Sequence, residues 1–123
     1  MLSPLDPGAP AFHAGAMEHG EILTRLEATI AQRRLGDPSA SYVAKLNAKG
    51  VAKIAQKVGE EGTETVIAAL TGSREELVGE AADLIFHLMV LLSAKDVPLA
   101  DVLGELQRRE GTSGIVEKAG RSN

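Results

Sequence analysis

The sequence predicts an all-α fold, an antiparallel helical bundle completed by homodimerisation, on three observations. Apolar residues recur at helical spacing, and no strand-like alternation competes with them. They are mostly Ala, Leu, Val and Ile; Phe, Tyr and Trp together make up 2% of the 123 residues. The stretches Leu84-Ile85-Phe86 and Leu88-Met89-Val90-Leu91-Leu92 nearly encircle a helix axis. Helices apolar all round are buried ones, and a chain this short has limited interior. A second copy is therefore expected to cover the outer side; a thick monomeric bundle is the alternative.

Residues 1–17 hold Pro4, Pro7, Gly8, Pro10 and Gly15 without periodicity and read as a flexible N-terminal tail. Asp6 and the lack of early Lys or Arg argue against a secretory signal. His13 and His19, in or beside this tail, read as inert. The helical domain is expected over 18–110. Its first helix runs from about Glu18 to Arg34, with Ile22, Leu26 and Ile30 on one face, and Gly36-Asp37-Pro38 ends it. Ser39 or Ser41 caps a second segment carrying Tyr42, Lys45 and Leu46, and Lys49-Gly50 marks a bend. A third helix extends over about Val51–Leu70, its apolar face formed by Val51, Ile54, Val58, Thr65, Val66 and Ala69. Thr71-Gly72-Ser73 reads as a turn, and Ser73-Arg74-Glu75-Glu76 as a capping box opening a fourth helix to about Lys95. Leu77, Ala81, Leu84, Leu88, Leu91 and Leu92 are expected inward. Pro98 suits the first turn of a last helix, to about Arg109. Residues 111–123 read as a loosely held C-terminal tail.

Composition narrows the function. The net charge of −4 argues against a nucleic-acid binder that relies on phosphate contacts. There is no Cys, so neither disulfide nor thiol chemistry is available, which suits a cytoplasmic location. No uninterrupted apolar run reaches membrane-spanning length, and no membrane partner is expected.

The chemistry lies in two acidic groups, Glu60, Glu61 and Glu64, then Glu80 and Asp83. Residues three or four apart share a helix face. Glu64 and Glu80 are equidistant from Gly72, as are Glu61 and Asp83, so a hairpin would bring both pairs level. Carboxylates about 5 Å apart repel by on the order of 3 kcal/mol at an effective dielectric of ~20. Either raised pKa values or a divalent cation must relieve that repulsion. An all-oxygen set without Cys or a Glu-x-x-His pattern favours Mg²⁺ or Mn²⁺ over zinc or di-iron. Mg²⁺ completes its shell with water and substrate phosphates, which points to a phosphate compound as substrate. An isolated acidic stripe is more often a solvated face; the matched spacing argues for a site.

The stretch Lys57-Val58-Gly59-Glu60-Glu61-Gly62-Thr63-Glu64, followed by Glu80-Ala81-Ala82-Asp83-Leu84-Ile85-Phe86-His87-Leu88, resembles the phosphoribosyl-ATP pyrophosphatase family, within the all-α MazG-like nucleoside-triphosphate pyrophosphatases. Ser41 through Leu46, Lys49-Gly50, Lys53-Ile54, Arg108 through Gly114, and Glu117-Lys118 add to the likeness, which covers roughly 18–121. Gly62 and Phe86 stand where the pattern has Ala and Tyr; no carboxylate is lost. The resemblance implies Mg²⁺-dependent hydrolysis of phosphoribosyl-ATP to phosphoribosyl-AMP and pyrophosphate, an early step of histidine biosynthesis, by a homodimer.

Stripe geometry and resemblance together make Glu61, Glu64, Glu80 and Asp83 candidate metal ligands. Glu60, Glu61 and Glu64 are the candidate catalytic carboxylates, Glu60 orienting or deprotonating water or holding a second metal, unless it is an ordinary exposed residue. Lys57 would reach a substrate phosphate or pair with Glu61. Lys45, Lys49 and Lys53 are candidates for the phosphate-rich end. Arg108 and Arg109 could clamp phosphate, or serve the helix dipole. Tyr42 would stack on the nucleotide or pack in the core, and His87 reads as a buried, hydrogen-bonded residue rather than a ligand. Competing readings are a pyrophosphatase for noncanonical nucleoside triphosphates and a non-catalytic module binding a basic partner.

Overall fold

The computed structural model describes residues 12–111, with side chains described from His19 onward. Among these residues there are five helices and no strand: α1 (Phe12–Arg33), α2 (Tyr42–Lys49), α3 (Val51–Thr71), α4 (Arg74–Ala94) and α5 (Leu99–Arg108). Four of the five both begin and end within a few residues of expectation. The exception is α1, which starts at Phe12 inside the stretch read as tail. Ala14, Ala16 and Met17 are good helix formers and outweigh the single unfavourable Gly15. The expected looseness of 1–11 and of 112–123 lies outside the described residues.

Each junction has a local cause. Ser41 caps α2, its Oγ accepting from Ala44 N at 3.2 Å. Gly50 joins α2 to α3 at φ 96° and ψ 167°, a conformation nearly restricted to glycine. The hairpin between α3 and α4 turns at Gly72, where a Cβ would lie 2.9 Å from the Ala68 carbonyl oxygen. Ser73 then caps α4, accepting from Glu76 N at 3.1 Å. Pro98 offers α5 no side-chain cap, and Glu27 on α1 supplies one, its Oε2 accepting from Leu99 N at 2.7 Å. A carboxylate there also suits the helix dipole. Arg34 donates to the Ser93 carbonyl and pairs with Asp96 at 3.2 Å, fastening the end of α1 to the end of α4.

The core is small: Ile30, Val43, Leu46, Ile54, Met89 and Val90, with Leu23, Leu26, Phe86, Leu91, Ala94 and Leu99 packed around it. On α3 the buried positions are Ile54, Glu61 and Ala68. They fall seven apart, the spacing of a seam between two helices packed side by side. The expected inward face was therefore rotated. Val51, Val66 and Leu88, expected inward, are exposed, while Ala68, Met89 and Val90 are buried. Periodicity locates an apolar stripe, but on helices apolar nearly all round it does not say which stripe meets the neighbour.

Large apolar residues line the outer side of the hairpin: Val66, Ile67 and Leu70 on α3, and Val78, Ile85 and Leu88 on α4, all exposed. By length and composition, α4 could cross a membrane: it has 21 residues and holds an 18-residue window of mean hydropathy 1.7. This corrects the expectation that no segment qualifies. Glu80 and Asp83 interrupt the apolar run without lowering its mean enough to exclude it.

Replacing Gly50 with Ala should lower stability by about 1–3 kcal/mol through backbone strain alone. Urea denaturation followed by circular dichroism measures it, and an unchanged midpoint would contradict the strain argument.

Candidate metal centre

The seam that joins α3 to α4 carries acids where a core would carry aliphatics. Glu61 replaces an apolar residue two turns after Ile54 and two turns before Ala68. Glu80 meets it from the opposite helix, two turns before the buried His87. Oxygens of Glu61, Glu64 and Glu80 all lie within 4.8 Å of one another. Glu61 is only 6% exposed, Glu80 is half-buried, and Glu64 is at the surface. Thr65 holds the helices together at this height. Its Oγ1 lies 2.7 Å from the Glu61 carbonyl oxygen and 3.2 Å from that of Glu80, so its proton can serve either chain segment.

The electrostatics are unbalanced. Lys57 Nζ approaches Glu61 Oε1 at 3.6 Å and Glu60 at 3.4 Å. Glu61 Oε2 and Glu80 Oε2 are buried and have no hydrogen-bond partner. An unsatisfied buried acceptor costs about 1–3 kcal/mol, and more when charged. Burial, followed by the closeness of Glu64, pushes the Glu61 carboxyl above its ordinary value of 4.5, against the pull of His87 and Lys57. Two orphaned carboxylate oxygens on facing helices, with a third carboxylate beside them, fit a hard divalent cation with oxygen ligands.

The other candidates are distributed around this centre. Asp83 is not brought into the group; its side chain is exposed. Equal spacing about the turn put Asp83 level with Glu61, but the carboxylate that meets Glu61 across the seam is that of Glu80. Glu60 stands on the adjoining face, accepting from Gln56 Nε2 at 2.8 Å, and that bond and Lys57 hold its carboxyl below the usual range. Lys57 pairs with both glutamates, and Glu60 raises its pKa. Lys45 and Lys49 are exposed on α2, and Lys53 is half-buried on α3. Arg108 and Arg109 reach Glu105 on their own helix, lowering its carboxyl to about 2.

His87 is buried and hydrogen-bonded, as expected: Nδ1 lies 2.7 Å from the Asp83 carbonyl oxygen and Nε2 lies 2.9 Å from the Tyr42 hydroxyl. Sequence reasoning missed Thr65 as more than a face residue. A hydroxyl one turn after Glu61 and level with the opposite acids was the available signal.

The raised Glu61 pKa carries a sign. The folded chain binds this proton more readily than the unfolded chain, so metal-free stability falls as pH rises above 4.5 and through the raised value. With EDTA present, Glu61→Gln should melt higher than the parent at pH 7, and the gap should narrow toward pH 5. Scanning calorimetry at the two pH values reads this directly, and a pH-independent gap would refute it.

Comparison with known proteins bears on the same residues. The family described as phosphoribosyl-ATP pyrophosphohydrolase matches residues 23–110. The chain is similar to the phosphoribosyl-ATP pyrophosphatase of Novosphingobium aromaticivorans, 89% identical over 107 residues, covering 87% of this chain and 100% of that protein. It is similar also to that of Erythrobacter litoralis, 71% identical over 101 residues, covering 82% and 97%. A third relative, from Dinoroseobacter shibae, is 58% identical over 100 residues, covering 81% and 98%. A family match spanning all of α2 to α5, together with identity at this level over nearly whole relatives, places this chain in the phosphoribosyl-ATP pyrophosphohydrolase family.

Proposed function

We propose that this chain hydrolyses phosphoribosyl-ATP to phosphoribosyl-AMP and pyrophosphate, breaking the bridge between the α- and β-phosphates in an early step of histidine biosynthesis. Family membership supports the reaction, and the paired orphan oxygens of Glu61 and Glu80 carry its chemistry. Glu61, Glu64 and Glu80, with Asp83 as a fourth carboxylate, would hold Mg²⁺, or Mn²⁺ in its place. When bound, such an ion neutralises phosphate charge and increases the acidity of water. Glu60 orients the attacking water, its carboxylate being kept ionised by Gln56 and Lys57. Water adds its oxygen to phosphorus, its protons pass to solvent through a carboxylate, and the bridging oxygen leaves with one product. Lys57, Lys53 and Lys45 serve the phosphates from one side, Arg108 and Arg109 from another. Tyr42 serves the nucleotide.

The catalytic domain comprises α1 to α5, from Phe12 to Arg108. The working form is a homodimer, in which a second copy covers Val66, Leu70, Val78 and Ile85. Patches of that size on soluble chains mark association surfaces. The same covering removes the apolar face that would suit a membrane, and the setting is cytoplasmic, without nucleic-acid or membrane partners.

The decisive assay is pyrophosphate release from phosphoribosyl-ATP, with a panel of free nucleoside triphosphates beside it. Turnover should require Mg²⁺, stop with EDTA, and favour phosphoribosyl-ATP; preference for a free triphosphate would shift the substrate assignment. Glu61→Gln should reduce kcat about a hundredfold or more with helicity intact, and full activity in that variant would remove the site. Sedimentation should give twice the chain mass, against which a clean monomer at micromolar concentration would count.

A further inference from the structure

This chain has three residues of the Phe, Tyr and Trp class: Phe12, Tyr42 and Phe86. Among the described side chains, packing elsewhere is done by aliphatic residues, and Tyr42 and Phe86 meet beside the acidic centre. Tyr42 and Phe86 lie nearly parallel, centroids 6.0 Å apart at 23°. His87 stands edge-on to both, 5.7 Å from Tyr42 and 5.2 Å from Phe86. Phe86 packs against the core, whereas Tyr42 keeps 48% of its surface exposed. Tyr42 is also within electrostatic reach of Lys57, which pairs with Glu61. A half-exposed ring backed by a second ring, next to a cation-binding site, is a stacking surface for a flat group.

A surface tyrosine at the first turn of a short helix would ordinarily sample several rotamers. Here its hydroxyl is held. The Asp83 carbonyl can only accept, so His87 Nδ1 carries the proton in that bond. The neutral ring then presents Nε2 as an acceptor, and the Tyr42 hydroxyl donates to it. This bond ties the start of α2 to the middle of α4.

We propose that His87 is a positioning residue for substrate recognition, fixing the Tyr42 ring as the platform on which the purine of the nucleotide stacks. It touches neither the cation nor the phosphates; Nε2 reaches recognition through Tyr42, while Nδ1 bonds the Asp83 backbone. The proposal rests on the nucleotide-hydrolysing function above.

Steady-state kinetics on phosphoribosyl-ATP with saturating Mg²⁺ test it. Losing one hydrogen bond of ordinary strength changes an equilibrium by about three- to tenfold. Tyr42→Phe and His87→Leu should each raise KM by about that factor, with kcat within about twofold. The double variant should be no worse than the worse single one, since the two act as a unit. His87→Gln, which can still accept from the hydroxyl, should recover much of the loss. A fall in kcat at unchanged KM, or additive effects, would overturn the positioning role. A purely structural role would lower the melting temperature and leave KM alone, which also overturns it.

A second readout needs no variant and no turnover. Tyr42 is the sole Tyr and the chain has no Trp, so it dominates the intrinsic emission. In EDTA, AMP or phosphoribosyl-ATP should quench that emission saturably, and unchanged emission at saturating nucleotide would refute stacking. Quenching without pyrophosphate release once Mg²⁺ is restored would uphold the platform while the proposed reaction fails, so the two claims separate.

Discussion

A buried carboxylate, Glu61, faced by a half-buried one, Glu80, on a helical seam governs the rest of the molecule. A seam of Ile, Leu and Ala would pack α3 against α4 at no electrostatic cost. Substituting Glu61 and Glu80 into that seam places charge where it repels and where solvent does not screen it. The surroundings answer the strain only in part: Lys57 reaches one oxygen of Glu61, and Thr65 clamps the backbones at the same height. A glutamate kept there under such conditions stores binding energy for a cation, because ligation satisfies acceptors that the fold leaves open.

The opposition between seam and outer face explains the unusual composition. Polar seam positions reduce what the monomer's interior can contribute, and the aliphatic residues displaced from it appear on the outside of the same hairpin. Val66, Leu70, Val78 and Ile85 thus stand exposed as a counterpart to Glu61 and Glu80. In our reading, the chain recovers by association what it gives up to hold a metal. The tie from Glu27 to α5 and that from Arg34 to the end of α4 keep the remaining helices from shielding this face.

Much of this was legible in the sequence, for identifiable reasons. Helix boundaries followed from punctuation: Ser41, Gly50, Gly72 and Ser73 each act locally, so no tertiary information is needed to place them. The meeting of Glu64 with Glu80 followed from equal counts about a tight turn, which set Glu61 level with Asp83. What the count could not give was azimuth. Height along a helix is a sum over residues, whereas orientation depends on which stripe a neighbour selects. This is why Asp83 stands outside the group, and why Val66 and Leu88 face outward. Phe12 shows another limit, since two Gly and three Pro residues nearby obscured a helix start that Ala14 and Ala16 support. Thr65 and the bond from Tyr42 to His87 were harder still. Such contacts join residues whose separations, 15 and 45 positions, carry no periodic signature.

The hairpin has one more consequence. Glu61, Glu64 and Glu80 lie on a single local unit closed by a tight turn, so their meeting requires little loop-closure entropy. Contacts this local form early and fast relative to those that dock α1 and α5. The nascent chain therefore gathers these three carboxylates before α1 and α5 are docked, and, on the proposed metal-binding reading, an ion captured at that stage would act as a nucleus around which the other helices condense.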